Sequence, residues 1–382
     1  MKVSGLPEGW VAEPEALSPE RVLVALSGGV DSSVAAALLV EAGHEVVGVW
    51  MRLHDAADRI DGGRKSCCTL DAADDARRVA DQLKIPFHIQ NLEREFADAV
   101  LEPFVGAYLG GETPSPCVGC NTAVKFGALV GKGSTLFGCT AVATGHYARR
   151  SVSTDGTTWR LRAAVDQEKD QTYFLHGLGS DAIARARFPL GSMTKGEVRE
   201  AARARGLATA DKPESQEICF VPDGDYRSLL RTRGWEPQSG EIINEFGQVV
   251  GAHEGSAGFT VGQRRGLAVA GDAPRYVSAI DPRTNRITIG RRESLERTEI
   301  DLCSVATPNG ALPTGAVLEG TARIRHRGVL AAGRLVSGGG GAATLHLREP
   351  LWAPSPGQTV VFYDGETLAA GGQISAAVPL NA

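Results

Sequence analysis

The stretch Leu23-Val24-Ala25-Leu26-Ser27-Gly28-Gly29-Val30-Asp31-Ser32-Ser33 constrains the fold of this chain more than any other. Its apolar run of Val and Leu reads as a buried parallel strand that feeds a two-glycine turn. The Ala- and Leu-rich sequence from Val34 to Val40 then reads as a helix that stops at Gly43. Strand, glycine turn and helix start together make a phosphate site, because glycine lets the backbone approach closely and the helix's first N–H groups point at the anion. Ser27, Ser32 and Ser33 add hydroxyl donors, and Asp31 is placed to hold the Mg²⁺ that accompanies a nucleotide. An ordinary Gly–Ser turn before a helix uses the same residue types, so the loop alone leaves that reading open.

The SGGxDS pattern resembles the PP-loop of ATP pyrophosphatases, which cleave ATP between the α- and β-phosphates while a substrate oxygen becomes adenylylated. It differs from a Walker A loop, which needs Lys-Ser/Thr after its last glycine. The decoy from Gly127 to Ser134 has one residue too few between its glycines and Gly133 after the lysine, and is set aside.

With 382 residues the chain is long enough for two or three domains and a substantial core. It has no apolar stretch of about eighteen residues, so no membrane span is expected. Residues 1–20 are acidic, carry prolines and lack an apolar h-region, and read as a surface extension rather than a signal peptide. Seven irregularly spaced cysteines are too few for a disulfide scaffold and point to the reducing cytoplasm. A net charge of −5 argues mildly against nucleic-acid binding by the molecule as a whole. Any such partner needs local basic patches: Arg149-Arg150, Arg264-Arg265, or Arg323, Arg325 and Arg327, which share one face if they lie on a strand. A solvated strand face accounts equally well for the last set.

Residues 21 to about 145 alternate strand and helix: Glu45 to Met51 a strand, Leu70 to Leu83 a helix, Pro86 to Gln90 a short strand, Val100 to Leu109 and Val124 to Leu129 helical, Thr140 to Thr144 a strand. Such alternation predicts an α/β, doubly wound parallel sheet with right-handed crossovers and ligands at the strand carboxyl ends, where Met51 and Gly145-His146 also emerge. Thr194 to Arg205 continues the helical character and Gly206 closes it. From Gly240 the texture turns to short alternating runs with Gly-rich turns, including a hairpin over Tyr276 to Ile289 and a tip at Gly338 to Gly341. The last hundred or so residues suggest a small antiparallel barrel.

Thr113-Pro-Ser-Pro-Cys117-Val-Gly-Cys120-Asn121 sets a CxxC behind two prolines, just before a helix, where a thiol pKa is lowered. Redox pair, half a zinc site and iron–sulfur ligands all fit a bare CxxC. No second CxxC or His pair completes a zinc site, and Cys219 alone sits in comparably polar surroundings. Cys139 and Cys303 lie in apolar runs and read as core residues. Cys67-Cys68 read as packing or incidental. A pyrophosphatase loop with reactive cysteines suggests that ATP activates a carbonyl oxygen and that cysteine-borne sulfur then displaces AMP.

SGGVDSS, TPSPCVGCNxxVKF, ATGHYA, Lys169-Asp170-Gln171-Thr-Tyr-Phe-Leu175, KPESQEICFV, Thr260-Val-Gly-Gln-Arg-Arg-Gly-Leu267 and Tyr276-Val277 through Ile280-Asp281-Pro282 occur in that order. Together they resemble the bacterial tRNA-specific 2-thiouridylases, from about residue 20 to the C-terminus. The resemblance implies an ATP-binding domain over 21–218, a small central domain over 219–289 and a tRNA-contacting antiparallel β-barrel over 290–382. It implies ATP-dependent sulfuration at C2 of the wobble uridine of tRNAs for Glu, Gln and Lys, with sulfur from a cysteine desulfurase or sulfur-relay protein. By motif position, Ala25, Leu26, Ser27, Gly28, Gly29, Val30, Asp31 and Ser32 bind ATP, with Met51 and Gly145 near the adenosine. Cys120 takes the nucleophile's place and Cys219 the persulfide carrier's. Ser115, Pro116 and Cys117 lie near the target base, while His146, Lys169, Asp170, Gln171, Arg325, His326 and Gln358 fall where the family touches tRNA. In better-known members the Cys117 position is aspartate. Cysteine there opens a second route, a [4Fe–4S] cluster on Cys117, Cys120 and Cys219 whose fourth iron carries sulfide. An amidotransferase synthetase or a tRNA lysidine synthetase explains neither the CxxC nor Cys219. The reading from another class is a non-catalytic tRNA-binding or iron–sulfur carrier protein that retains the loop.

Overall fold

The computed structural model describes residues 9–13, 18–54, 70–213, 218–221, 224–269 and 273–377. The chain divides into two compact units, one of residues 1–101, 117–225 and 365–368, the other of 102–116, 226–364 and 369–382.

The first unit is built on the five-stranded sheet the sequence predicts. Its strands are β2 (Arg21–Ala25), β3 (Glu45–Arg52), β4 (Phe87–Asn91), β5 (Ala141–Ala143) and β8 (Ala186–Arg187), all parallel, in the order β4-β3-β2-β5-β8. The chain first winds outward from β2 to β4, then returns to the other side of β2. The reversal between β2 and β5 is the crevice at which open α/β sheets bind ligands. Helix α1 (Val30–Glu41) follows β2 and is apolar around most of its circumference, because it is buried on two sides. Ala36 and Leu39 pack with Val22, Val24 and Trp50, while Val34, Ala35 and Ala37 pack with Tyr147, Leu190 and Val198. Helix α2 (Leu70–Leu83) covers the predicted span and buries Ala72, Ala76, Val79 and Ala80.

Helix α3 (Glu93–Phe96) loosens into π-helical turns over Ala97–Leu101. Helix α4 (Glu102–Leu109) belongs to the second unit. Helix α5 (Pro116–Gly119) likewise widens into a π-helix over Cys120–Ala128 before α6 (Leu129–Phe137). Beyond β5 come an antiparallel pair, β6 (Arg149–Ser153) and β7 (Trp159–Arg162), then α7 (Thr172–Leu175), α8 (Ser180–Arg185) and α9 (Lys195–Ala204). Part of the N-terminal extension is structural: β1 (Trp10–Ala12) pairs antiparallel with β6, Trp10 stacks on Arg160, and Glu13 forms an ion pair with buried Arg150.

In the second unit α4 packs Phe104, Val105 and Tyr108 inward, and Tyr108 stacks at 4.1 Å on Tyr226 of α10 (Tyr226–Thr232). Arg233 reaches back 3.0 Å to Glu102, and Gly111 abuts Ile280 and Pro282. A four-stranded sheet follows, made of β9 (Gly240–Asn244), β10 (Val249–His253), β11 (Tyr276–Asp281) and β12 (Arg286–Gly290) in the order β10-β9-β12-β11. Its β11–β12 hairpin is the predicted one, and Asn285 takes positive φ at the turn.

The remaining strands are β13 (Glu296–Thr307), the short β14 (Gly310–Ala311), β15 (Val317–Arg323), β16 (Ala331–Gly339), β17 (Ala342–Trp352), β18 (Thr359–Asp364) and β19 (Thr367–Ala377). Six of them close into an antiparallel barrel, β13-β17-β16-β15-β18-β19, with β19 pairing back onto β13. Ile300, Leu302, Leu335, Leu345, Val361, Phe362 and Ile374 are buried along it. The hairpin tip at Gly339, Gly340 and Gly341 turns through three positive-φ glycines.

Candidate active site

The loop between β2 and α1 stands at the crevice between β2 and β5. Gly28 takes φ +70°, and a Cβ there would lie 2.3 Å from the carbonyl of Ala72, so only glycine suits that turn. The loop is braced by its own hydroxyls. Ser32 Oγ accepts from Ser27 N at 3.1 Å and donates to Gly29 O at 3.1 Å, while Ser33 Oγ donates to the same carbonyl at 2.8 Å. Thr209 donates to Ser33 Oγ at 2.9 Å. Ala25, Leu26 and Val30 are buried, anchoring the loop at both ends. Two residues beyond β5, Gly145 presses on the helix start: a Cβ there would meet Ser32 N at 2.7 Å and the Asp31 backbone at 2.8 Å. Met51 lies one residue before the end of β3, beside Gln90 of β4. The loop, Met51 and Gly145 therefore all emerge at the carboxyl end of one sheet.

Asp31 is not bare. Its Oδ1 accepts from Tyr147 OH at 2.9 Å and from Lys195 Nζ at 2.7 Å, and its Oδ2 accepts from Lys195 at 2.8 Å. Lys212 Nζ donates to Gly28 O at 2.8 Å and to Asp75 Oδ2 at 2.7 Å. Asp75 and Lys212 line a cavity of about 300 Å³ with Leu207, Ala208, Ala210, Asp211 and Pro213. One carboxylate suffices for Mg²⁺ at a nucleotide site, where phosphates and water complete the shell. Asp31 suits that role once Lys195 shifts its hold. Lys195, Thr209 and Asp75 were invisible to motif reading, whereas Tyr147 lay inside ATGHYA and Lys212 opened KPESQEICFV without any sign of its partners.

The cysteines are arranged around a single helical segment. Pro116 opens α5, Cys117 is half-buried and Cys120 is buried at the start of the π-helical stretch. Gly119 lies against the carbonyl of Ala99, where a Cβ would come within 2.8 Å. Phe220, next to half-buried Cys219, packs edge-on to Phe96 at 5.4 Å. The chain neighbours of Cys120 and Cys219 thus rest on successive turns of residues 93–101. Among the described residues no three Cys, His, Asp or Glu side chains gather as metal ligands. Burial raises the Cys139 thiol pKa, which agrees with an inert core residue, while Cys303 is half-buried on β13. Cys67 and Cys68 lie outside the described residues.

The remaining candidates fall in different settings. His146 is buried against Phe126 and Phe188, with Nδ1 2.7 Å from Thr144 Oγ1; desolvation, with help from Lys125, drives its pKa well below the usual imidazole value. Asp170 is also buried and structural: it accepts from Ala164 N at 3.0 Å and from the Thr172 hydroxyl at 2.8 Å. Gln171 Oε1 accepts from Tyr147 N at 3.0 Å, and half-buried Lys169 sits in the same turn. Asn121 donates to Phe174 O at 3.1 Å and accepts from Lys125 at 3.0 Å, tying that turn to the helix of Cys120.

In the second unit Ser115 is half-buried ahead of α5, and Gln358 is half-buried at the start of β18. Arg325 donates to Trp352 O and lies 5.6 Å from that ring, and Arg292 lies 4.7 Å from the same ring. The pKa of the neighbouring His326 is pushed down to about 4 by burial and by Arg327 and Arg323.

Two basic-patch expectations are corrected. Strand β15 ends at Arg323, which is buried, and Arg327 follows in a turn at φ 57°, so the three arginines share no strand face. Arg150 is buried and caps the carbonyls of Ile183 and Ala184, while Arg149 binds Ala163 O and Glu366. Neither member of that pair forms an exposed patch. Arg264 and Arg265 are exposed as expected.

Three family models match in succession: one described as a tRNA methyl transferase HUP domain over residues 20–223, a PRC-barrel domain of the same series over 231–291, and an aminomethyltransferase beta-barrel domain over 299–374. A curated relative from Chloroflexus aurantiacus, named tRNA-specific 2-thiouridylase MnmA, is 48% identical over 361 residues, covering 93% of this chain and 98% of the relative. One of the same name from Geotalea uraniireducens is 45% identical over 364 residues, covering 94% and 96%. Among solved structures, a 4-thiouridine synthetase–RNA complex with bound ATP is 16% identical over 56% of this chain and 50% of that one, with a TM-score of 0.33.

Proposed function

The chain belongs to the tRNA-specific 2-thiouridylase family, and from that premise we propose how its residues carry out ATP-dependent replacement of oxygen by sulfur at C2 of a tRNA uridine. The enzyme is a sulfurtransferase. ATP binds along Ala25 to Ser32, with its adenosine beside Met51 and Gly145. Backbone N–H groups at the start of α1 and the Ser hydroxyls hold the phosphates. Asp31 would hold the Mg²⁺ that accompanies the nucleotide, and the ion would supply neutralisation of charge on the leaving group. The target uridine leaves its stack to reach this crevice, past Ser115, Pro116 and Cys117. Lys169, Gln171, Arg325, His326 and Gln358 take part in holding the tRNA. Buried His146 and Asp170 shape the approach from behind.

Uridine O2 attacks the α-phosphorus, the α–β bridging bond breaks, pyrophosphate leaves, and C2 carries an O-linked AMP. Cys219 bears a persulfide supplied by a desulfurase or relay protein. Its terminal sulfur reaches C2 either by direct attack, after which Cys120 attacks Cys219 Sγ and breaks the S–S bond to free the thiouridine, or as hydrosulfide released when Cys120 attacks Cys219 Sγ first. AMP departs with the original oxygen. Either way Cys120 and Cys219 end as a disulfide, which an external dithiol reduces to reset the enzyme. The substrates are wobble-uridine tRNAs for Glu, Gln and Lys, and the setting is the cytoplasm.

The observation that carries this reading is the phosphate loop at the β2–β5 crevice in the same unit as two cysteines backed by one helix. The test is 2-thiouridine formation on unmodified glutamate tRNA with Mg-ATP and a persulfide donor, read by mass spectrometry of digested nucleosides. Cys120→Ser and Cys219→Ser are each expected to abolish product, and Cys117→Ser to retain turnover in iron-free enzyme. Loss of product with Cys117→Ser, alongside iron-dependent activity of the wild type, would overturn the two-cysteine route. Tight ATP binding with no thiolation under any condition would favour the carrier reading.

A further inference from the structure

We propose that Lys195 and Lys212 form a cationic clamp for the pyrophosphate half of ATP, held on Asp31 and Asp75 until the nucleotide arrives. The proposal rests on the ATP reading above. A departing pyrophosphate concentrates most of the triphosphate's charge, and enclosing that charge without a counter-charge is costly. A Walker loop brings its own lysine. This chain has no Lys or Arg between Arg21 and Arg52, so the loop and α1 carry none, and Arg21 stands at the end of β2 away from the loop. Two ammonium groups arrive instead from the segment that starts at α9. Lys212 donates to the first glycine of the loop, and Lys195 binds Asp31 in the first turn of α1.

Both lysines are largely withdrawn from water, with side chains 12% and 21% exposed. Both are also held in place. The Thr194–Glu197 capping box fixes the turn that carries Lys195, and Lys195 N donates to Asp166 Oδ2 at 2.9 Å. On the Lys212 side, Thr209 is bonded to Ser33 in α1.

The pairing serves a second purpose. Asp31 lies where the helix start attracts anions, and its bare carboxylate would repel phosphate. Lys195 cancels that charge. Each ammonium has three donors on a flexible four-carbon stem, so it can turn from carboxylate to phosphate without backbone movement. When Lys195 turns, Asp31 is released for the metal that travels with the nucleotide, making Lys195 and Mg²⁺ alternate partners of one carboxylate.

The test is calorimetric titration of the full-length enzyme with Mg-ATP, Mg-pyrophosphate and AMP, comparing wild type with Lys195→Gln, Lys212→Gln, Lys195→Arg and Asp75→Asn. Each Lys→Gln change is expected to weaken ATP and pyrophosphate about tenfold while AMP, which lacks the clamped phosphates, stays within about twofold. Lys195→Arg keeps the charge and retains part of the affinity, even if Lys195→Gln folds poorly. Asp75→Asn releases Lys212 and is expected to tighten pyrophosphate. Unchanged pyrophosphate binding in both Gln variants, or AMP lost in step with pyrophosphate, would overturn the clamp. A wild type that binds none of the three ligands would instead remove the ATP reading itself.

Discussion

At the scale of single residues the site depends on two glycines that have no room to be anything else. Gly28 faces the Ala72 carbonyl at positive φ, and Gly145 faces the first turn of α1. Gly145→Ala pushes a methyl group against Ser32 N, and the backbone must yield because no flexible side chain stands there. The expected cost is about 1–3 kcal/mol of stability, measured by urea unfolding, together with weaker ATP binding. The glycines, serines and Asp31 were legible in the sequence because they form one contiguous motif. The contacts of Lys195 and Lys212 with the loop were not, although Lys212 opens KPESQEICFV, since they span 164 and 184 residues of chain. Nothing local to a lysine says which distant carboxylate it will find. His146 and Asp170 were legible as positions, but their burial was not, because it depends on Phe126, Phe188 and Thr172 closing around them.

At the scale of elements, α9 links fold to chemistry. Its capping box satisfies the first-turn N–H groups and sets the direction in which Lys195 leaves the helix. Thr194→Ala is expected to cost about 1 kcal/mol, seen as a lowered melting temperature, and to weaken pyrophosphate binding more than AMP binding. Equal effects on both ligands would mean that the cap matters only for stability. The periodicity of α2 and the β11–β12 hairpin could be read directly, since amphipathic spacing and turn residues declare themselves locally. The π-helical turns over Ala97–Leu101 and Cys120–Ala128 could not. Gly119, just before the second of them, lies on the Ala99 carbonyl of the first, a tertiary demand that composition does not record. The arginine alternation at 323–327 misled because the strand ends at Arg323, before the alternation does.

At the scale of the whole molecule, strand order puts the loop at a sheet reversal, which the alternation of strands and helices implied without fixing. The closed six-stranded barrel likewise followed from texture, but its closure by β19 onto β13 joins residues far apart in sequence. No described helix is long and apolar enough to cross a membrane. The family-model boundaries near residues 223 and 231 differ from the division in space, because Glu102–Pro116 completes the second unit. Residues 226–382 expressed alone should therefore be deficient. Losing the buried Phe104, Val105 and Tyr108 is expected to cost about 4 kcal/mol or more. Adding a peptide of residues 102–116 should raise the fragment's melting temperature; a fragment that melts identically with and without the peptide would refute this. A chain threaded in this way cannot be shuffled as cassettes. Recombination at that single junction would carry one stretch of the second unit off with the first, so the two units are inherited together or lost together.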